Sequence, residues 1–584
     1  MQKKFSQYIS FFGILFVMLF IVSCANIVAP TGGPQDVTPP LVKSFEPLNY
    51  ASNFKERKIK ITFNEFVLIA DQVNQIVVSP PPAEEFEYII RGKSLLINLS
   101  KELKDSVTYT IYFGESIKDI TEGNTLTGLE YAFSTCNYID SLSVSGSVTD
   151  AFTLEPSKNV YVLLYRSVAD SAPMKHKPDY VTKTNANGLF SLSNLANTPY
   201  RIFVLSDMNN DLMYNLPTEA IAFTDSLITP QYIPRTKDTV ASKKDTITAK
   251  KDSIPPPTII KQTHLKMFVP TDTTQKLLQA RSNKYGQFKL VFRYPTTNLN
   301  IQVHNRKLPA EWKLDEYSIK KDTLIAWLLN PEIDTLKFSV FDNGVFIDSV
   351  DLSIKQKSTE NGSKKPSGKG SPMDDNSVKP IVYFNAKASG SLPYYVPLKI
   401  SVSNPVDSTD FSKIILSEKI DSNFKALPLE IKASETGIKR HFFINQKWKA
   451  KTTYQILVLP GAFKNIYGSK NDTTKITFTP NTVEDYGRLL FTFKTADIHA
   501  PYILQLLNDS KAVIAEKSTT KSGQLIFDNL PPASYHLRII RDANNNGKWD
   551  SGDYLRKIQP EAVFSFPEVI TIRANWDSDF EFTL

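Results

Sequence analysis

Short runs in which apolar and polar residues alternate recur along the chain from residue 41 onward. Lys58-Ile59-Lys60-Ile61-Thr62-Phe63, Gln75-Ile76-Val77-Val78, Ser94-Leu95-Leu96-Ile97-Asn98-Leu99 and Tyr109-Thr110-Ile111-Tyr112-Phe113 are examples. A period of two sends every second side chain to one face, so each run predicts a strand with one buried and one wet face. Runs at this spacing predict a β-sandwich over 41–136. The pattern returns in Val160-Tyr161-Val162-Leu163-Leu164-Tyr165, predicting a smaller sandwich over 137–228. Runs such as GQFKLVFRY, NLNIQVHN and TLKFSVF predict a β-rich middle domain over 261–354. Two further sandwiches are expected over 381–480 and 481–584.

Two stretches break the pattern. Residues 229–260 carry Lys237-Asp238-Thr239-Val240, Lys244-Asp245-Thr246-Ile247 and Lys251-Asp252-Ser253-Ile254, then Pro255-Pro256-Pro257. Residues 355–380 are built of Lys, Ser, Gly, Pro and Asp. Neither holds enough apolar surface to offset the entropy of ordering, so both are expected to be disordered linkers. The expected fold class is all-β: tandem sandwiches joined by disordered linkers.

The N-terminus follows another pattern. Two lysines precede an almost wholly apolar run, Phe5 to Val22, that stops at Ser23-Cys24. A basic start, an apolar middle and small residues at the end predict a signal peptide over 1–23. The segment resembles the bacterial lipobox. That resemblance implies lipid attachment at Cys24, with acyl chains that hold the chain to a membrane by about 0.8 kcal/mol per buried CH₂. The alternative is an uncleaved anchor helix. Residues 24–40, rich in Pro and Gly, are expected to be an extended tether.

Several stretches carry a family resemblance. PTGGPQDVTPPLVKSFEP, IKITFNEFV, VTYTIYFGESIKDITEGN and LEYAFST resemble the bacterial Ig-like domain of S-layer type found in Bacteroidetes lipoproteins, over about Pro39 to Thr135. VSGSVTD and TNANGLFSLSNLANTPYRIFVLSDMNND resemble the small sandwich of carboxypeptidase-regulatory-like and prealbumin-like domains. Those resemblances imply structural or adhesive modules, not a peptidase.

A repeat supports this division. Gly188, Asn194, Leu195, Tyr200 and Asp207 fall without a gap on Gly523, Asn529, Leu530, Tyr535 and Asp542. Upstream, TTYQILVLPGAFKNIYGSKNDTTKITFTP echoes VTYTIYFGESIKDITEGNTLTGLEYAFST, with Tyr454 in the place of Tyr109. The chain is therefore expected to hold an Ig-like domain followed by a small sandwich, twice.

Among motifs with chemistry, the sharpest is Asp542-Ala-Asn544-Asn-Asn546-Gly547-Lys548-Trp-Asp550-Ser-Gly-Asp553. Oxygen side chains at loop positions one, three, five, nine and twelve, with Gly at six, match calcium-loop spacing, and the Lys548 main-chain carbonyl would supply position seven. The loop follows a strand, so it is no EF-hand, and an ion-free Asn-rich turn is the alternative. The first copy offers Asp207, Asn209, Asp211 and Asn215. There Leu212 stands where the turn needs φ > 0 and Thr218 stands at position twelve, so the ion-free turn is favoured. Asp-(Ser/Thr)-apolar triplets recur at Ser106, Ser141, Ser171 and Ser226 and resemble the O-glycosylation acceptor of periplasmic Bacteroidetes proteins. Inside domains they equally describe a turn entering a strand. In the linker, Thr239, Thr246 and Ser253 are the expected sugar carriers.

Composition narrows the function. A net charge of +8 spread over 584 residues implies no nucleic-acid partner. Of two cysteines, Cys24 would carry the lipid and only Cys136 would keep a free thiol in the mature chain, so intrachain disulfides are excluded. Cys136 is expected to be a small buried apolar residue. The histidines, His176, His264, His304, His441, His499 and His536, are isolated, and no nucleophile elbow or phosphate loop occurs. Trp312, Trp327, Trp448 and Trp576 are expected to pack in cores or along edges rather than to serve as sugar platforms. The expectation is a non-enzymatic lipoprotein of the outer membrane, facing the periplasm rather than the surface. Its job is structural, or to hold a protein partner, with an outer-membrane β-barrel the candidate. The alternative is a surface module that binds a glycan.

Overall fold

The computed structural model describes residues 36–99, 103–232, 262–354, 379–386, 391–434, 439–449, 451–497 and 500–584. Cys24 and the linker residues Thr239, Thr246 and Ser253 lie outside them. The chain divides into two compact units, Met1–Pro270 with Ser551–Pro560, and Thr271–Asp550 with Glu561–Leu584. No helix among the described residues is long and apolar enough to cross a membrane.

In the first unit, one sheet orders the strands Val42–Glu46, Lys58–Phe63, Ser94–Asn98 and Glu87–Arg91, and a facing sheet orders Glu130–Ser134, Thr108–Tyr112 and Val77–Ser79. Alternation does the work predicted for it: Ile59, Ile61 and Phe63 pack with Tyr131 and Phe133, all at 0% exposure. Each such side chain contributes about 1.5–3 kcal/mol by leaving water. The strand Thr108–Tyr112 departs from the one-wet-face expectation and is buried on both faces. Its inner face holds Tyr109 and Ile111 in the core. Its outer face carries the neighbouring sandwich: Thr110 Oγ1 accepts Asn194 Nδ2 at 2.8 Å, and Tyr112 Oη accepts Ser193 N at 2.9 Å.

That neighbour is the first small sandwich. One of its sheets orders Tyr180–Lys183, Tyr161–Tyr165, Arg201–Leu205 and Ile221–Phe223. The other is centred on Leu142–Asp150, flanked antiparallel by Leu189–Leu195 and parallel by Thr263–Met267. Thr263–Met267 therefore completes this sandwich and does not open the middle domain, which corrects the boundary set at 261. The contact is close enough that a Cβ on Gly146 would lie 1.9 Å from Thr263 O. Gln231–Tyr232, assigned to the linker on composition, also pairs with Leu142-Ser143. Ser551–Pro560 folds with this unit too. Tyr554 packs its ring against Phe203, Tyr214 and Phe223, and its hydroxyl donates to Asp170 O.

In the second unit, the middle sandwich faces Leu277–Arg281, Gln287–Phe292, Thr323–Leu328 and Lys313–Tyr317 against Leu299–Val303, Thr335–Asp342 and Val345–Ser353. A second Ig-like sandwich follows. Seven of its strands, Val382–Phe384, Leu398–Val402, His441–Ile444, Ile431–Ala433 opposite Thr474–Pro480, Tyr454–Val458, Ile414–Ile420, reproduce the order of the first, and Ser391–Leu392 and Asn423–Ala426 extend the second sheet at its two ends. Tyr109 Oη accepts Lys104 N at 2.9 Å, and Tyr454 Oη accepts Lys449 N at 3.0 Å. Buried Asp119 and Asn465 each end a short strand and accept main-chain N–H groups of the turn that follows.

The last small sandwich repeats the other one. Gly487–Lys494 lies between Gly523–Leu530, antiparallel, and Asp577–Thr583, parallel. Tyr200 Oη donates to Ala196 O and Tyr535 Oη to Pro531 O, four residues back in each copy, at 3.1 and 2.8 Å. Cys136 is half-buried, not fully buried as expected, because its Sγ sits 3.1 Å from Ser134 Oγ and donates to Tyr138 O.

Candidate functional site

Two loops of the repeat gather the oxygen side chains singled out in the sequence. Each follows an inner strand of a small sandwich, Arg201–Leu205 or Ala533–Arg541. Asp207 Oδ2 accepts Leu212 N at 2.7 Å, and Asp542 Oδ2 accepts Gly547 N at 2.8 Å. An aspartate at the first position thus folds the chain back onto itself in both copies. Leu212 and Gly547 hold the same left-handed φ, 62° and 77°. Leu212 accordingly does not block the turn, as the sequence suggested it would. The hydrogen bond to Asp207 holds it in a region that costs a non-glycine residue about 1 kcal/mol or more.

The third, fifth and ninth positions meet. In the first loop Asp211 Oδ2 accepts from Asn209 Nδ2 at 2.9 Å and from Asn215 Nδ2. In the second, Asp550 Oδ2 accepts from Asn544 Nδ2 at 2.6 Å and from Asn546 Nδ2. The acid has changed places between positions five and nine, while the cluster persists. The Lys548 N–H donates to Asn546 Oδ1 at 3.0 Å.

One acid in each loop went unnoticed in the sequence. Glu219, at 0% exposure, accepts Met208 N through Oε1 and Asn215 N and Leu216 N through Oε2, at 3.3, 3.1 and 3.0 Å. Glu561 accepts Ala543 N through Oε1 and Asp550 N through Oε2, at 2.7 and 3.0 Å. Burial pushes the Glu561 carboxyl up, against the pull of those two N–H groups. Both glutamates thus bind the residues at loop positions two and nine. Glu219 follows Thr218 directly. Glu561 comes after the insert Ser551–Pro560, so spacing alone pointed to Asp553. Asp553 instead lies within that insert, 3.5 Å from Arg556 Nε and bridged to Ile558.

The donor set is oxygen only, the kind a hard cation such as Ca²⁺ selects. Among the described residues no three His, Cys, Asp or Glu side chains converge as a ready metal cluster. The loop carboxylates are engaged by the loops' own N–H groups.

The repeated asparagine has a different role. Leu142 pairs with Leu195 but Val144 with Leu192, and Gly487 pairs with Leu530 but Leu489 with Phe527. Each register shift is a β-bulge at the same place in the two copies. Asn194 and Asn529 occupy it at φ 60° and 56°, a conformation that asparagine tolerates better than most residues. The bulge aims each side chain at the preceding Ig-like sandwich. Asn194 Nδ2 donates to Thr110 Oγ1, and Asn529 Oδ1 accepts Tyr394 Oη at 2.6 Å. A further joint in the second unit ties the middle sandwich to the second Ig-like one. Arg440 Nε donates to Glu316 Oε1 and Trp327 Nε1 to Glu316 Oε2, both at 3.0 Å.

Other residues named from the sequence are scattered. Ser106 sits in a turn at φ 58°, and Asp140 Oδ2 accepts Thr108 Oγ1 of a neighbouring strand. Trp327 is fully buried, while Trp312 and Trp448 pack against cores. Trp576 is 64% exposed, which corrects its assignment to packing.

Fold and site together define a tandem β-sandwich protein of Ig-like and smaller sandwiches. Residues 36–135 match the family model described as bacterial Ig-like domain. No curated protein matches the chain. Similar solved structures include the S-layer protein rSbsC(31-844), at 11% identity and TM-score 0.12, covering 91% of this chain and 67% of that one. The major pilin subunit BcpA of Bacillus cereus is similar at 9% identity and TM-score 0.14, covering 76% and 99%. A Bacteroides ovatus mixed-linkage glucan utilization protein, SGBP-B, is similar at 9% identity and TM-score 0.16, covering 74% and 92%. Likeness at this level says nothing about function.

Proposed function

We propose that the chain is a non-enzymatic envelope lipoprotein that holds a binding surface or a protein partner at a set distance from the membrane. The observation that carries this reading is the repeated joint. In both copies the same bulged asparagine links a small sandwich to the Ig-like sandwich before it, through a partly or wholly buried hydrogen bond. Domains meant to swing freely have no use for such a bond, whereas a spacer of fixed geometry needs one. The lipid on Cys24 is the proposed anchor. The outer membrane, facing the periplasm, is the proposed place, and a β-barrel the proposed partner.

Within this reading the second loop binds Ca²⁺, and the first is the weaker candidate. Asp542, Asn544, Asn546, Asp550 and the Lys548 carbonyl would hold the ion in the second loop, with Glu561 in the part first given to Asp553. Asp207, Asn209, Asp211, Asn215 and Glu219 would do so in the first. The ion would cross-link each loop and do no chemistry.

The test is membrane fractionation of wild type and Cys24→Ala, with affinity isolation from a mild-detergent extract and mass spectrometry. Wild type should enter the membrane fraction with a barrel protein, and Cys24→Ala should be lost from it. Equal membrane recovery of the two proteins would overturn the anchor, and isolation without any envelope protein would overturn the scaffold.

A further inference from the structure

We infer that the joint between the second Ig-like sandwich and the last small sandwich is a binding site for a neutral oligosaccharide. A cleft of about 770 Å³ opens there, lined by Tyr394, Tyr486, Arg488, Asp528, Trp576 and Asp577 among others. Its size lies within the range of about 300–1,000 Å³ typical of ligand sites, which favour domain interfaces.

The aromatic element is Trp576. The residue is 64% exposed and has no place in the core of its sandwich. Its main chain is nevertheless fixed on both sides. Trp576 O accepts Arg488 N at 3.0 Å, and Asn575 N donates to Tyr486 O at 2.9 Å. Asn575 takes a left-handed φ of 53° to make the corner. A large apolar ring held out in water on a pinned backbone is a preorganised stacking surface. Tyr394 and Tyr486, which line the same cleft, pack ring against ring with each other and with Tyr395, 5.2–6.0 Å apart.

The polar element is an ion-pair fork. Arg488 Nε donates to Asp528 Oδ1 at 2.9 Å and its Nη1 to Asp577 Oδ2 at 3.2 Å. Each carboxylate is about half exposed, so its second oxygen remains open to an incoming hydroxyl. The guanidinium is already paired with two carboxylates, which leaves the lining net negative. Phosphate, sulfate and uronic acids are therefore disfavoured. A neutral sugar fits both elements: its C–H face lies on the indole, and its hydroxyls donate to Asp528 and Asp577. This proposal does not depend on the membrane anchor.

The test is calorimetric titration of the full chain with neutral hexasaccharides of glucose, mannose and xylose, and with a galacturonate hexamer as the acidic comparison. At least one neutral sugar should bind. Trp576→Ala should weaken that binding by about tenfold or more, and Asp577→Asn should weaken it less. The melting temperature of Trp576→Ala should match wild type, since the ring is exposed, so lost binding cannot come from lost folding. Three results would overturn the inference: no binding of any neutral sugar at millimolar concentration, binding undiminished in Trp576→Ala, or preference for the galacturonate.

Discussion

Replacing Leu265 by Ala should loosen the first small sandwich and leave the middle sandwich intact. Leu265 is 2% exposed and packs in the core that includes Val144, Val148, Phe190 and Leu192. Its strand pairs with Leu142–Asp150 over the five positions Gly146↔Thr263 to Asp150↔Met267. Leucine-to-alanine changes in cores cost about 2–5 kcal/mol. Here the strand lies at the sheet's edge, where the site can partly collapse, so about 3 kcal/mol is expected. Amides protected through opening of this sandwich should then exchange about a hundredfold faster. Hydrogen exchange with mass spectrometry on the whole chain reads this directly. Peptides covering Leu142–Asp150 and Leu189–Leu195 should lose protection, while those covering Gln287–Phe292 and Thr323–Leu328 should not change. The opposite pattern would refute the assignment and return the strand to the middle domain. Gly146→Ala provides a second route to the same effect, because its Cβ would collide with Thr263 O.

Glu219→Ala should destabilise the first unit by about 3–5 kcal/mol in denaturant unfolding, since it strands three main-chain N–H groups at about 1–3 kcal/mol each; a loss below about 1 kcal/mol would show the loop does not depend on it. Arg440→Ala should cost about 2–4 kcal/mol by leaving Glu316 largely buried without its cation. Burial pushes the Glu316 carboxyl up, but His441, Arg440 and Trp327 together hold it below the ordinary value of 4.5. A depressed carboxyl stabilises the fold above that value and loses the contribution as pH falls through the folded value. Glu316→Gln should therefore flatten the acid limb of the stability curve below pH 4.5, and an unchanged limb would contradict the role given to Glu316 in this joint. Millimolar Ca²⁺ should raise the melting temperature over that in chelator, and Asp542→Ala should abolish the second loop's share; equal melting curves in wild type would remove calcium from the account.

Period-two alternation was enough to recognise sandwiches, because one-sided burial writes itself into sequence. It failed where a strand is covered twice. Nothing in Thr108–Tyr112 announces that Thr110 and Tyr112 face a second domain. It failed again at Thr263–Met267, whose sheet partner lies more than a hundred residues earlier, with the rest of the sandwich and then a stretch without apolar pattern in between. Proximity in sequence assigned that strand to the wrong neighbour. The loop acids show the same limit. Loop spacing selected Asp553, but a ten-residue insert separates Asp550 from Glu561, the acid that engages the loop. Comparing the two copies could have exposed it, since Glu219 and Glu561 each fall just after a loop's last oxygen residue once the insert is set aside. Leu212 erred in the other direction. Its side chain argued against φ > 0, yet one hydrogen bond to Asp207 offsets that cost.

The two joints show what the duplication has kept and what it has changed. The backbone device is the same in both, a bulge with a left-handed asparagine aimed at the Ig-like sandwich. Asn194 donates to a threonine hydroxyl, whereas Asn529 accepts from a tyrosine. The residues facing each other across the bulge differ more. The first joint has Ser143 against Ser193, both small and uncharged, while the second has Arg488 against Asp528, an ion pair beside an exposed indole. A spacer needs only the shared bulge. Had both joints served that purpose alone, the serine pair would suffice at either, and neither a half-exposed salt bridge, worth about 1 kcal/mol at most, nor a solvated tryptophan would improve on it. The extra chemistry at the second joint therefore calls for a ligand, and the first joint serves as its internal control: substitutions at Ser143 and Ser193 should leave sugar binding untouched, while substitutions at Asp528 should not.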